Sequence, residues 1–287
     1  MEVLQGAKEI SRIIQEALNW GEGALIGRNG TIELECMIFD NMERLQILEN
    51  NAGIFPCSNT SLVSKWCSES IQATEEADVL ATGWYKPLKE IEQVAIKEWK
   101  SEAIQVPLRS LEPYYVEPEN QWTHFLFGQK VSVVSCFTDT ASKQVTKIKD
   151  IWGPLGVLPE DVDWQWVQTG HPPSVANGSN EWPSHIQDSL EAIEYVVSEV
   201  VKQGSRFALI GCGGIGMPIA RKLMERGVIA IVLGGAIQVL FGIKGSRWEN
   251  HSIISKFWNE HWVWPSQEET PRKSSKVEGG CYWKCKN

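Results

Sequence analysis

What this 287-residue chain lacks removes several classes of function. It has no excess of positive charge. Its 27 Lys and Arg stand against 36 Asp and Glu, a formal net charge of -9, so general affinity for nucleic acid or an anionic membrane is excluded and any anion must be met by a local pocket. No window approaches the roughly 18 consecutive apolar residues of a membrane span, and the opening MEVLQGAKEI has no basic stretch followed by an apolar run. The expectation is a soluble, cytoplasmic protein. The seven cysteines (Cys36, Cys57, Cys67, Cys136, Cys212, Cys281 and Cys285) include no Cys-x-x-Cys pair and have no His at zinc spacing. Their odd number and wide scatter predict reduced thiols rather than a metal site or disulfide framework. There is also no clean linker and no internal repeat, so residues 1–287 are expected to form one domain, long enough to bury a full core.

Tryptophan is abundant instead: fourteen residues, most expected in the core and a minority left as flat platforms for a ligand. The hydrophobic pattern changes period along the chain. Helical spacing covers 4–19, and GALIG then reads as a short strand, followed by a turn at Arg28 to Gly30 and a helix entered through Thr31. A loop at 51–56, a helix at 61–77, a strand at 78–84, a helix at 87–99 and a Pro-broken loop at 108–120 come next. The run at 129–137 reads as a buried strand with a helix after it. Residues 153–185 read as irregular apart from a strand at 163–168. A helix at 184–203, a strand at 206–210, a helix at 217–226 and a strand at 228–234 complete the pattern. Strands alternating with helices predict an α/β fold, a Rossmann-like, doubly wound, mostly parallel sheet flanked by helices.

Within FALIGCGGIGMPIARKL (207–223), the hexapeptide GCGGIG fits G-x-G-x-x-G between a strand and a helix, the context in which such a turn cradles phosphate. The bland alternative is a tight strand-to-helix connection. A nicotinamide site also needs an acid at the end of the following strand to hold the ribose. Here that strand ends in Leu233, Gly234, Gly235 and Ala236, and no acid appears until Glu249, so an NAD-dependent oxidoreductase is the weakest reading. Lys244, Arg247 and Trp248 follow a second glycine turn, which would put cations and an aromatic face beside the same phosphate. VEGGCYW near the end reads as a core plug or as a lid.

Seven segments carry a resemblance: GRNGTIE, NAGIFP, PLRSLEPYY, NQWTHFLFGQKVSVVSCF, IGCGGIGMPIA, LGGAIQVLFGIKGSRWE and VEGGCYW. Over nearly the whole chain the sequence resembles bacterial and viral glycosyltransferases of the GT-D fold type. That resemblance implies a transferase that uses a nucleotide-sugar donor, UDP- or GDP-linked, and a glycan or glycoprotein acceptor. It also implies an Asp-x-Glu pair near the N-terminus that holds a divalent metal, Mn or Mg, at the diphosphate. Here Thr31 stands at the Asp position and Glu33 matches the Glu.

Together these readings assign the diphosphate to Arg28, the backbone of Gly211, Gly213, Gly214, Ile215 and Gly216, Gly235, Lys244 and Arg247. Glu33 is the expected general base, or metal ligand if a metal binds, with Asp139 as runner-up. Trp248, Tyr282 and Trp283 are expected to stack on sugar or base, and residues 249–287 to pack over the nucleotide site. Arg28 and Glu33 could instead pair with each other or cap a helix, and His171 reads as an ordinary loop histidine. A non-catalytic nucleotide- or glycan-binding protein is the alternative to an enzyme.

Overall fold

The computed structural model describes residues 1–39 and 44–284, so Cys285 and the last residues of the 249–287 segment lie outside the described residues. Helix α1 (Val3–Trp20) opens the chain, burying Ile10, Ile14 and Ala17 on one stripe, and Gly21 ends it in the left-handed region at φ 70°. The strands are β1 (Ala24–Gly27), β2 (Val79–Ala81), β3 (Ile104–Val106), β4 (Lys130–Ser135), β5 (Asp163–Gln168), β6 (Phe207–Gly211) and β7 (Ile229–Val232). They form one seven-stranded sheet in the order β3-β2-β1-β7-β6-β4-β5, with every pairing parallel.

Both faces of this sheet are buried, as a parallel sheet requires. Ile26, Val133, Leu209 and Ile231 point into one core with Ile10 and Ile14 of α1. Leu25, Val134, Ile210 and Val232 point into the other. There they meet Trp66 of α2 (Thr60–Glu75), Val196 of α3 (Ser189–Gln203) and Ile219 of α4 (Gly216–Met224). Each side chain of this size contributes about 1.5–3 kcal/mol when fully buried.

The pattern read from the sequence matches these elements, with differences at their edges. Strand β3 falls in a stretch read as neither strand nor helix, because an edge strand of three residues is too short to show a period. Helix α3 starts at 189 rather than 184: the Asp188 carboxylate accepts hydrogen bonds from the Leu190 and Glu191 N–H groups and fixes the start there. The helix expected after β4 is broken into Thr138–Gln144 and Ile148–Trp152, with a tighter turn between them.

This topology decides where a ligand can sit. From β1 the order runs outward through β2 and β3, and on the other side of β1 lie β7, β6, β4 and β5. The chain leaves β1 toward the core that holds Cys36 and Trp66, and leaves β7 toward the core on the opposite face, with Ile237 and Val239. At such a switch point the loops leaving the carboxyl ends of the strands part and leave a crevice.

Candidate functional site

A cavity of about 490 Å³ opens at the carboxyl end of the sheet. It collects the loops after β1, β4, β5, β6 and β7 together with the C-terminal segment.

Arg28 is the first residue after β1 and crosses the switch point. Its guanidinium passes over Gly234, the second residue after β7, which adopts φ 58°. A Cβ there would fall 2.8 Å from an Arg28 terminal nitrogen, so both backbone and space require glycine. The guanidinium carbon then rests 4.8 Å from the ring centroid of Trp84, beyond the end of β2. Among the described residues no ion pair involves Arg28.

Two carboxyls flank this cation. Glu33 lies in the first turn of the helix Thr31–Phe39 and folds back over Gly30, so close that a Cβ at position 30 would collide with its carboxylate. Burial pushes its carboxyl above the usual range, while its own backbone N–H and Arg28 pull the other way. Glu112 enters from the loop after β3. Burial pushes it up to about 7, against the pull of Arg28 and Arg109. A carboxyl that titrates near neutrality beside a cleft is a candidate proton acceptor.

The glycine-rich turn leaves β6, makes a tight turn over Gly213–Ile215 and enters α4 at Gly216. Gly211, Cys212, Gly213 and Ile215 line the cavity. Gly214 and Gly216 are not part of its lining. The Gly214 carbonyl accepts a hydrogen bond from the Trp66 indole at 2.9 Å, and Gly216 packs against Val232. Gly213 adopts φ 65°, and a Cβ there would lie 2.5 Å from the Ala52 carbonyl oxygen. Part of the glycine spacing therefore admits a neighbouring turn of the protein itself.

Arg247 donates to the Glu278 carboxylate at 2.6 Å and lies 4.7 Å from the ring centroid of Tyr282. The Tyr282 hydroxyl donates to the same carboxylate at 3.2 Å, and the Glu278 N–H donates to the Asn51 side chain. The C-terminal segment thus spans the cleft. Gly235 is tucked beneath it, where a Cβ would meet Tyr282 at 2.8 Å and Arg247 at 3.1 Å. Trp248 and Trp283 border the cavity but are buried, and the Trp283 indole donates to the Glu269 carbonyl. His171 also borders it. Burial lowers His171 to about 4, and its Nε2 is enclosed with no hydrogen-bond partner.

Besides Gly214 and Gly216, two expected side chains are not brought in. Lys244 forms no part of the cavity wall: its backbone N–H pairs with the Val263 carbonyl, and its ammonium sits 5.3 Å from the ring centroid of Trp258. Asp139 is exposed in the first turn of the helix after β4 and is also absent from the wall. The acid that meets that helix end is the buried Glu269, which accepts from the Thr140 N–H at 3.0 Å and from its hydroxyl.

Sequence reasoning missed Glu112, Trp84 and Glu278. Signals existed for the first two. Glu112 is an acid set among Leu111, Pro113 and Tyr114, all buried, and Trp84 directly follows Thr-Gly at a strand end. Among the described residues no cluster of three His, Cys, Asp or Glu could hold a metal ion. With Thr31 in place of an acid and Glu33 folded onto Gly30, these residues do not fit a divalent metal at the start of that helix. No acid ends β7 either, and Arg28 crosses the position where a ribose-binding acid would stand.

No family model matches the chain, and no curated protein matches it. It is similar to a solved structure described as the highly conserved domain of unknown function 1792 with a distinct glycosyltransferase fold. The identity is 11%, the TM-score 0.45, and the match covers 93% of this chain and 96% of that one. A selenomethionine-substituted structure of the same domain gives 11% identity and a TM-score of 0.44 over the same coverage.

Proposed function

We propose that this protein is a glycosyltransferase that takes a nucleoside-diphosphate sugar, UDP- or GDP-linked, and passes the sugar to a glycan acceptor. The observation that supports this most is the meeting, at the switch point, of a cation with no ion pair among the described residues and a carboxyl near neutrality: Arg28 on Trp84, with Glu112 beside it.

Sugar transfer needs a held diphosphate, a counter to the charge that grows on it as the sugar leaves, and a group that takes the acceptor's proton. Arg28 and Arg247, which line the same cavity as the Gly211–Gly213 turn, bind and neutralise the diphosphate beside the backbone of that turn. Glu112 takes the proton from the acceptor hydroxyl. Glu33, in the wall of the same cavity, is its rival for that role. Arg28 and Arg247 counter the charge, so no step requires a metal.

Isothermal titration with UDP and GDP, with and without Mn²⁺, followed by donor hydrolysis assays, tests this reading. Binding of one nucleotide with sugar release supports it. Binding of neither would sink it. Binding with no turnover toward any glycan would favour a non-catalytic binding protein, a reading favoured by the ion pair that already neutralises Arg247.

A further inference from the structure

A second cavity, of about 560 Å³, adjoins the first at the carboxyl ends of β2 and β3. The two share Trp84 and Leu108 in their walls, so a molecule in one lies next to a molecule in the other.

Its wall contains no Asp or Glu, although acids outnumber bases in the chain. It does contain two exposed cations, Lys89 and Arg109, and neither takes part in an ion pair among the described residues. The Arg109 guanidinium is held 4.9 Å from the ring centroid of Tyr115. The Lys89 stem runs along Gly83, where a Cβ would lie 3.4 Å from its methylenes. The buried Glu92 nearby is already occupied by the Gly83 N–H at 2.7 Å.

Beside the cations lies a fixed polar network. The Thr82 hydroxyl donates to Gln105 Oε1 at 3.1 Å, and Gln93 Nε2 donates to the same oxygen at 2.8 Å. Those two bonds set the orientation of both amides. They leave Gln93 Oε1 as an acceptor and Gln105 Nε2 as a donor with no side-chain partner in the network. An oriented donor and acceptor suit the hydroxyls of a sugar, and the Trp84 ring offers an apolar face for its C–H groups.

We infer that this cavity is the acceptor subsite and that it takes a saccharide bearing an anionic group, carboxylate or phosphate. Gln93 and Gln105 hold the ring hydroxyls, and Lys89 and Arg109 meet the charge. This rests on the reading of the first cavity as the donor site, because Trp84 and Leu108 would then bring the acceptor hydroxyl to the sugar being transferred.

The test is isothermal titration of the full chain with four probes: a disaccharide ending in glucuronic acid, the matched disaccharide ending in glucose, glucose 6-phosphate and inorganic phosphate. The expected result is about tenfold tighter binding of the glucuronyl disaccharide than of its neutral match, with Lys89→Ala or Arg109→Ala erasing most of the difference. Gln105→Leu weakens both disaccharides alike. Tighter binding of glucose 6-phosphate than of the glucuronyl probe identifies the anion as phosphate, provided that inorganic phosphate alone binds more weakly. Equal affinity for the charged and neutral disaccharides, or a difference that survives both cation substitutions, overturns the inference. Lys89 and Arg109 are exposed, so these variants keep the fold. Nucleotide titrations on the same samples separate the two proposals. If acid discrimination persists but neither UDP nor GDP binds anywhere, the donor reading fails and the anionic subsite stands.

Discussion

The two arginines that line the cleft, over the adjacent Gly234 and Gly235, live in opposite conditions. Arg28 rests on an aromatic ring, with no ion pair among the described residues and two carboxyls near it whose ionisation burial disfavours. Arg247 also rests on an aromatic ring, but its charge is already met by Glu278, itself held by Tyr282 and Asn51. The difference separates two functions of a cation. An unpaired guanidinium holds interaction energy in reserve for a ligand, whereas a paired one fastens a segment of chain and must be released before it binds anything else.

Four experiments sharpen or break this contrast, from the largest effect to the smallest. Glu112→Gln should lower turnover by about 10²- to 10⁴-fold, the usual contribution of a general base. The wild-type kcat/KM should rise with pH through about 7 as Glu112 ionises, and the variant should lose that limb. A matching loss in Glu33→Gln, with Glu112→Gln active, would hand the role to Glu33. Next, Arg28→Ala should cost about 10²- to 10³-fold in kcat/KM, as for other groups that stabilise developing charge. Because Arg28 holds no ion pair among the described residues, thermal denaturation should show almost no change in Tm. A large drop in Tm would make it a structural residue.

Third, Glu278→Gln should tighten nucleotide binding several-fold by freeing Arg247, at a cost of about 1 kcal/mol in stability, measurable by titration and urea unfolding. Weaker nucleotide binding would show that Glu278 itself supports the ligand. The smallest effect is on stability against pH. The Glu112 carboxyl is raised in the folded state, so folding favours its protonated form. Its contribution is therefore full below about 4.5 and is lost as pH rises through about 7. Denaturant unfolding of wild type and Glu112→Gln across that window should show a shallower slope in the variant.

The parts of this picture legible in the sequence are those encoded by short-range pattern. The period-2 and period-3.6 runs gave strands and helices, and GRNGTIE already held the strand, turn and helix start that bring Arg28 and Glu33 to the crevice. GCGGIG announced a tight turn, though not that Gly213 would be needed to clear the Ala52 carbonyl. Lys244 and Arg247 looked equivalent three residues apart. A backbone bridge from Ile243 to Val263 carries Lys244 onto Trp258, while the turn that follows brings Arg247 to Glu278. The apolar neighbours of Glu112 only hinted at burial; its character as a site comes from that burial and from Arg28, more than eighty positions away. No local spacing encodes that environment.

The Glu278 carboxylate has one more consequence. It sits where Arg247 would otherwise be hydrated and gathering counterions, so a diphosphate arriving there swaps one anion for another. Ion release from solution then scales with one bare guanidinium rather than two. Nucleotide affinity should therefore decline with added salt more gently than the count of arginines suggests.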